Sequence, residues 1–202
     1  MKKFIVLLTS LLIAAGTWAA DYTAVAQQVF KKNGQRSYTG AFDQTKYIKM
    51  MKKEVLSAGT LYTTPGNMAM HYSQPAGDYL VINDKQFVMQ TGGKKTNHNI
   101  QKGSPLLTLR NTLLNCMHGN IQAIADENNG TVSYTQEGGR HVFSIATQNK
   151  TPRGYSKVVL KYQATSLNLE EMVLEEVNGN YTVYKLSQLK DGAIDAARFT
   201  VK

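Results

Sequence analysis

Residues 67–89 read NMAMHYSQPAGDYLVINDKQFVM. Met68, Met70 and Tyr72 fall at every second position, the spacing that places side chains on one face of a strand. "DYLVI" is a second strand, and Asn83-Asp84 is a turn. Phe87 and Met89 then resume the same step on a third strand. Three short strands in quick succession, joined by tight turns, form a meander.

The pattern continues outward. "YTGAFDQTKYI" and "EVLSAGTLYT" precede this stretch, and "TVSYT", "RHVFSIA", "SKVVLKYQA", "LEEMVLEEV", "NYTVYKLS" and "AARFTVK" follow it. Gly92-Gly93, Gly138-Gly139 and Asn178-Gly179 separate neighbours, and "GGKKT" reads as a hairpin turn without the first glycine of a phosphate loop. About eleven antiparallel strands in one meander predict a mainly β fold, since a long sheet twists and curls toward a barrel or half-barrel.

Two segments keep helical time. "DYTAVAQQVFKKNGQR" sets Tyr22, Val25, Ala26, Val29 and Phe30 on one side and ends at Gly34. "SPLLTLRNTLLNCMHGN" has Ser104 as N-cap, Pro105 at the first helical position and Gly119 as terminator. Leu106, Leu109, Leu113 and Met117 form its stripe. Such an apolar helix inside a sheet protein is expected to press on the concave face as a lid.

The opening "MKKFIVLLTSLLIAAGTWAA" has a basic start, an apolar run and small residues at Thr17 and Ala19. It is read as a signal peptide, residues 1–19, cut after Ala19, ahead of one domain over residues 20–202. The formal charge of +9 for the whole chain falls by the two lysines Lys2 and Lys3 on cleavage, to roughly +7. The basic residues are scattered and carry no nucleic-acid-binding motif. The single cysteine, Cys116, makes no internal disulfide and is expected as a small buried apolar group.

Catalytic signatures are thin. Neither G-x-S-x-G nor H-E-x-x-H occurs, and His71, His98, His118 and His141 lack ligand spacing. No cofactor motif is present, and Glu170, Glu171, Glu175 and Glu176 read as a solvated face. What remains is the apolar set Met68, Met70, Tyr72, Phe87, Met89, Leu106, Leu109, Leu113 and Met117. It either fills an ordinary core or lines a cavity for an apolar guest. Methionine suits the second role, because its unbranched side chain moulds to guests of variable shape.

Four segments carry a family likeness: "AFDQ" (41–44), "GTLYTTPGNMAMHYSQP" (59–75), "YLVINDKQFVMQ" (79–90) and "DGAIDAARFTVK" (191–202). With their order and spacing, the chain resembles the outer-membrane lipoprotein carrier (LolA) family. The resemblance implies an open antiparallel half-barrel with helices over its concave face. It also implies a monomeric, non-enzymatic periplasmic carrier. Such a carrier takes acylated lipoprotein from an inner-membrane lipoprotein-releasing ABC transporter and passes it to an outer-membrane acceptor. A carrier of a different acylated or polyene-type lipid is the alternative within this class, and a lipid-acting hydrolase the alternative outside it. The family's two aromatics of F-x-W are Met68 and Met70 here. Many members place an arginine that latches the lid just before the first proline, a position occupied by Thr64. A threonine cannot make a guanidinium's forked contacts, so the lid is expected to close mainly by apolar contact.

Overall fold

In the computed structural model the described residues are 22–148 and 154–200. The signal segment read from the sequence, with its cleavage position, lies outside them. Helix α1 (Thr23–Asn33) leads into strands β1 (Tyr38–Ile48), β2 (Lys53–Thr64), β3 (Asn67–Gln74), β4 (Ala76–Ile82), β5 (Gln86–Thr91) and β6 (Lys94–Asn99). Helices α2 (Pro105–His118) and α3 (Ile121–Glu127) follow. Strands β7 (Thr131–Glu137), β8 (Arg140–Ala146), β9 (Tyr155–Gln163), β10 (Leu169–Glu176) and β11 (Tyr181–Asp191) complete the order.

The eleven strands form one antiparallel sheet in the order β6-β5-β4-β3-β2-β1-β11-β10-β9-β8-β7. The sheet is open, with β6 at one edge and β7 at the other. The connection between these two edge strands is the α2–α3 segment, so it must cross a face of the sheet. It crosses the concave one, where its apolar side is buried against the strands. Among the described residues, no helix is long and apolar enough to cross a membrane.

The chain termini of α2 agree with the residues that set them. Ser104 accepts from the Leu107 amide, Pro105 opens the helix, and Gly119 closes it in the left-handed conformation at φ 71°. Asn120 then caps α3 by accepting from the Ala123 amide. Three local expectations are corrected. The seven-residue α3 was not read from the sequence. The polar run 94–99 after "GG" is an edge strand rather than more turn. "AARFTVK" gives a 3-10 turn, Ala196–Phe199, in place of a strand. Phe199 packs with Ala69 and Val81 on the convex face, and the Asn83 side chain donates to its carbonyl at 3.2 Å.

Register fixes the concave floor. Leu61, Met70, Leu80 and Met89 are directly paired across β2 to β5, and Thr63, Met68, Ile82 and Phe87 form the next row. Phe42 pairs with Leu186 on one side and Gly59 on the other. Gly59 leaves room that no other residue would: an added Cβ would fall against the His71 carbonyl oxygen. The glutamates at the opposite face are held by lysines and an arginine: Lys161–Glu171 at 2.7 Å, Arg140–Glu170 at 2.6 Å and Lys157–Glu175 at 3.7 Å.

Candidate functional site

The helices cover only one end of the concave face. Arg110 of α2 donates from Nε to the Asn83 carbonyl (2.8 Å) and from a terminal nitrogen to the Gly66 carbonyl (3.1 Å). Those carbonyls belong to the turns joining β4 to β5 and β2 to β3. At the other end of α2, His118 Nε2 lies 2.9 Å from the Thr64 carbonyl oxygen and Nδ1 lies 3.0 Å from that of Asn33. Two buried tyrosines rise from the floor beneath. Tyr38 donates to the Met117 carbonyl at 3.0 Å and Tyr162 to the Cys116 carbonyl at 3.2 Å. Carbonyls in a helix's last turn lack an amide partner four residues on within the helix; Tyr38 supplies a donor to that of Met117, and Tyr162 adds one at Cys116, which the Gly119 amide also reaches at 3.4 Å. Burial pushes both phenols above the ordinary tyrosine range, and it does the same to the Cys116 thiol.

The apolar packing of α2 on the strands is thus joined by hydrogen bonds along the helix that the sequence expectation did not include. Thr64 contributes its carbonyl, and the guanidinium that the sheet lacks at this position is provided by the helix, at Arg110.

The nine residues singled out from the sequence separate into three groups. Met68, Met70, Leu113 and Met117 are buried in one continuous cluster with Leu61, Leu80 and Ile82. Tyr72, Phe87 and Leu109 are half-buried against that cluster. Met89 is 42% exposed, and Leu106 is half-buried at the start of α2 without joining the cluster. Beneath the helices the buried members of this set pack against one another. A groove opens elsewhere on the sheet.

It lies at the uncovered end of the same strands. A groove of about 420 Å³ is lined by Gln44, Lys46, Ile48, Val55, Ser57, Tyr72 and Met89, with Pro75 and Asp78 at its side. Tyr72 forms the wall between groove and core. Its ring meets Phe42 edge-to-face at 5.1 Å, and its hydroxyl donates to Gln44 Oε1 at 2.7 Å. Burial, with help from the Asp78 charge, raises the Tyr72 phenol to about 12. Sequence reasoning found Tyr72 and Met89 but missed Gln44, Lys46, Ile48, Val55 and Ser57. The alternation along β1 and β2 held the signal, because these residues are in step with Tyr38 and Phe42 or pair with residues that are. A smaller hollow of about 190 Å³ lies between α1 and the start of α3, beside Phe30 and Ile121. Among the described residues, no three His, Cys, Asp or Glu side chains gather to hold a metal ion.

From Gln44 to Ile48 the groove floor advances ~14 Å at the rise of an extended strand. One leaflet of a bilayer's hydrocarbon core is ~15 Å deep. A single acyl chain of membrane length therefore matches the floor end to end.

Residues 33–202 match the family described as outer membrane lipoprotein carrier protein LolA. A search of curated proteins finds no match. Among solved structures, MucB shares 12% identity at a TM-score of 0.54, the alignment covering 92% of this chain and 64% of that one. The Pseudomonas aeruginosa MucA/MucB complex gives 11% identity and a TM-score of 0.51, covering 91% and 62%. A LolA superfamily protein from Nitrosomonas europaea gives 11% identity and a TM-score of 0.45, covering 87% and 97%. At such identities the likeness is one of fold.

Proposed function

The chain belongs to the outer membrane lipoprotein carrier protein LolA family, and from that premise we propose that it is a periplasmic carrier of acylated lipoprotein. In this reading a cargo acyl chain lies along the open half of the concave floor. The observation that carries it is the row Met70–Leu80–Met89, which runs without interruption from the buried core into the groove. Chemistry suited to a greasy interior thus continues onto a surface that none of the described residues covers.

The energetics call for such a surface. Each buried methylene contributes ~0.8 kcal/mol, so one long acyl chain in water costs on the order of 10 kcal/mol. Transfer from bilayer to groove exchanges one apolar environment for another and is close to neutral. Direction then comes from the partners: an inner-membrane lipoprotein-releasing ABC transporter that loads the carrier, and an outer-membrane acceptor that holds the cargo more tightly. No bond is made or broken on the carrier.

The groove accommodates one slender guest. A cargo with further chains needs the start of α2 to draw back from Gly66 and Asn83, pivoting where Tyr38, Tyr162 and His118 hold its last turn. Met68, Met70 and Met117 would then repack around the incoming chain. The methionines make this inexpensive, since three rotatable bonds let them refill irregular space.

Native mass spectrometry of the protein isolated from periplasm without detergent tests the reading. A bound acylated lipopeptide or lipoprotein is the expected result. Protein that is free of lipid, and that stays free when mixed with a soluble triacylated lipopeptide, would contradict it.

A further inference from the structure

The hairpin joining β1 to β2 carries apolar side chains that none of the described residues covers. Residues 49–56 are all exposed. Met50 is 91% exposed, Leu56 71% and Met51 60%. Solvent-facing methionines in sequence need a partner, because large apolar groups clustered at one projecting point are rare on a protein that meets only water.

Charge surrounds this apex on one side of the balance. Lys46, Lys49, Lys52 and Lys53 stand within eight residues, and none of them forms an ion pair with a described residue. The nearest carboxylate, Glu54, accepts from the Tyr181 hydroxyl at 3.4 Å. Behind the apex Tyr47 stacks on Tyr181, ring centres 5.0 Å apart. The neighbouring β10–β11 turn braces the tip, with the Lys49 amide donating to Asn180 Oδ1 at 3.0 Å.

We propose that this hairpin tip docks the protein on an anionic phospholipid bilayer. Met50 and Met51 enter the boundary of the acyl region, the lysines reach headgroup phosphates, and Tyr47 and Tyr181 stand at interfacial depth. A bilayer takes every part of this arrangement. Lysine stems lie along apolar surface while their ammonium groups stay wet, and tyrosine favours the interface. An acidic protein would match the lysines but leave a convex apex of unbranched methionines without a pocket to fill. Neither signal alone anchors firmly, and together they give reversible attachment. Ile48 and Val55 at the base of the tip line the groove, so docking would bring the groove mouth to the membrane. The inference stands on the tip alone and does not require the groove to hold a lipid.

The test is co-sedimentation of the mature chain with vesicles of phosphatidylcholine containing about 30 mol % phosphatidylglycerol. Expected are binding to these vesicles at low salt, little binding to pure phosphatidylcholine, and release at about 0.5 M salt, where charges are screened within a few ångströms. K49E/K52E/K53E should lower the partition coefficient about 100-fold or more, and M50S/M51S about tenfold, with melting temperatures little changed because these residues are all exposed. Binding that is indifferent to both variants overturns the proposal. So does absence of vesicle binding combined with salt-sensitive retention on immobilised polyglutamate, which would assign the tip to an acidic protein. Vesicle binding by a protein that never takes up an acyl chain would keep this inference while removing the carrier reading.

Discussion

Arg110 on α2 donates to the carbonyl of Asn83, in the turn between β4 and β5, at 2.8 Å. With its second bond to Gly66, one planar guanidinium clips the half-buried start of the helix to two turns of the sheet. Arg110→Ala should cost about 1–2 kcal/mol, the range for hydrogen bonds made by a charged group that is not fully buried. Amide exchange in residues 106–110 should quicken more than in residues 113–118. Arg110→Lys should restore little, since an ammonium cannot span two divergent acceptors. Uniform exchange along α2 in the alanine variant would show that the helix does not pivot.

The tyrosine pair holds the opposite end. Tyr38→Phe leaves the buried Met117 carbonyl without its hydroxyl donor and should destabilise by about 1–3 kcal/mol, and Tyr162→Phe, whose Cys116 carbonyl keeps the Gly119 amide, by less, read from urea midpoints. No effect would mean that water replaces the hydroxyl.

The same phenols set an alkaline limit. Their folded values lie above the ordinary 10 because burial disfavours phenolate. The sign follows: the unfolded chain loses these protons near pH 10 while the folded protein keeps them. The stabilisation is whole below pH 10 and declines above it, by up to about 1.4 kcal/mol per pH unit for each tyrosine. Urea midpoints from pH 8 to 11 should fall less steeply in the Y38F/Y162F double variant than in the wild type.

Met89 separates groove from core. It is half-exposed and outside the buried cluster, so Met89→Asp should alter stability by no more than about 0.5 kcal/mol. Acyl binding should weaken tenfold or more, because a carboxylate then faces the chain. Met70→Leu should behave oppositely. The swap is nearly volume-conserving and should cost under about 1.5 kcal/mol, while narrowing the range of chain lengths accepted. Titration with fluorescent fatty acids of several lengths checks both.

How much of this was legible in the chain depended on what each segment packs against. The row of Met68 and Met70, the three termination signals of α2 and the glycine turns are local, and residue type decides them. α3 places Ile121, Ile124 and Ala125 at helical spacing but is only seven residues long, too short for the step to repeat, and its start depends on Asn120 capping just after the Gly119 reversal. β6 is polar throughout because an edge strand leaves most of its side chains in water. "AARFTVK" alternates like a strand, yet Ala196–Phe199 is a 3-10 turn whose Phe199 packs on Ala69 and Val81, a contact made far away in sequence. Which part of the floor stays open could not be read locally at all. It depends on three helices being too short to cover the full length of β1 and β2, a relation among elements distant in sequence. The long meander and the family likeness both pointed to the half-barrel; the bonds from Arg110 on the helix to two distant turns emerge only once the chain is folded.

The central claim is that the acyl chain lies on the uncovered half of the concave face. Loading the protein with a lipopeptide whose acyl chain ends in a photoactivated diazirine, then mapping the cross-linked peptides, addresses it directly. The account predicts adducts on Tyr72, Met89, Val55 and Ile48. Adducts confined to the convex face, or to the hollow between α1 and α3, would contradict it.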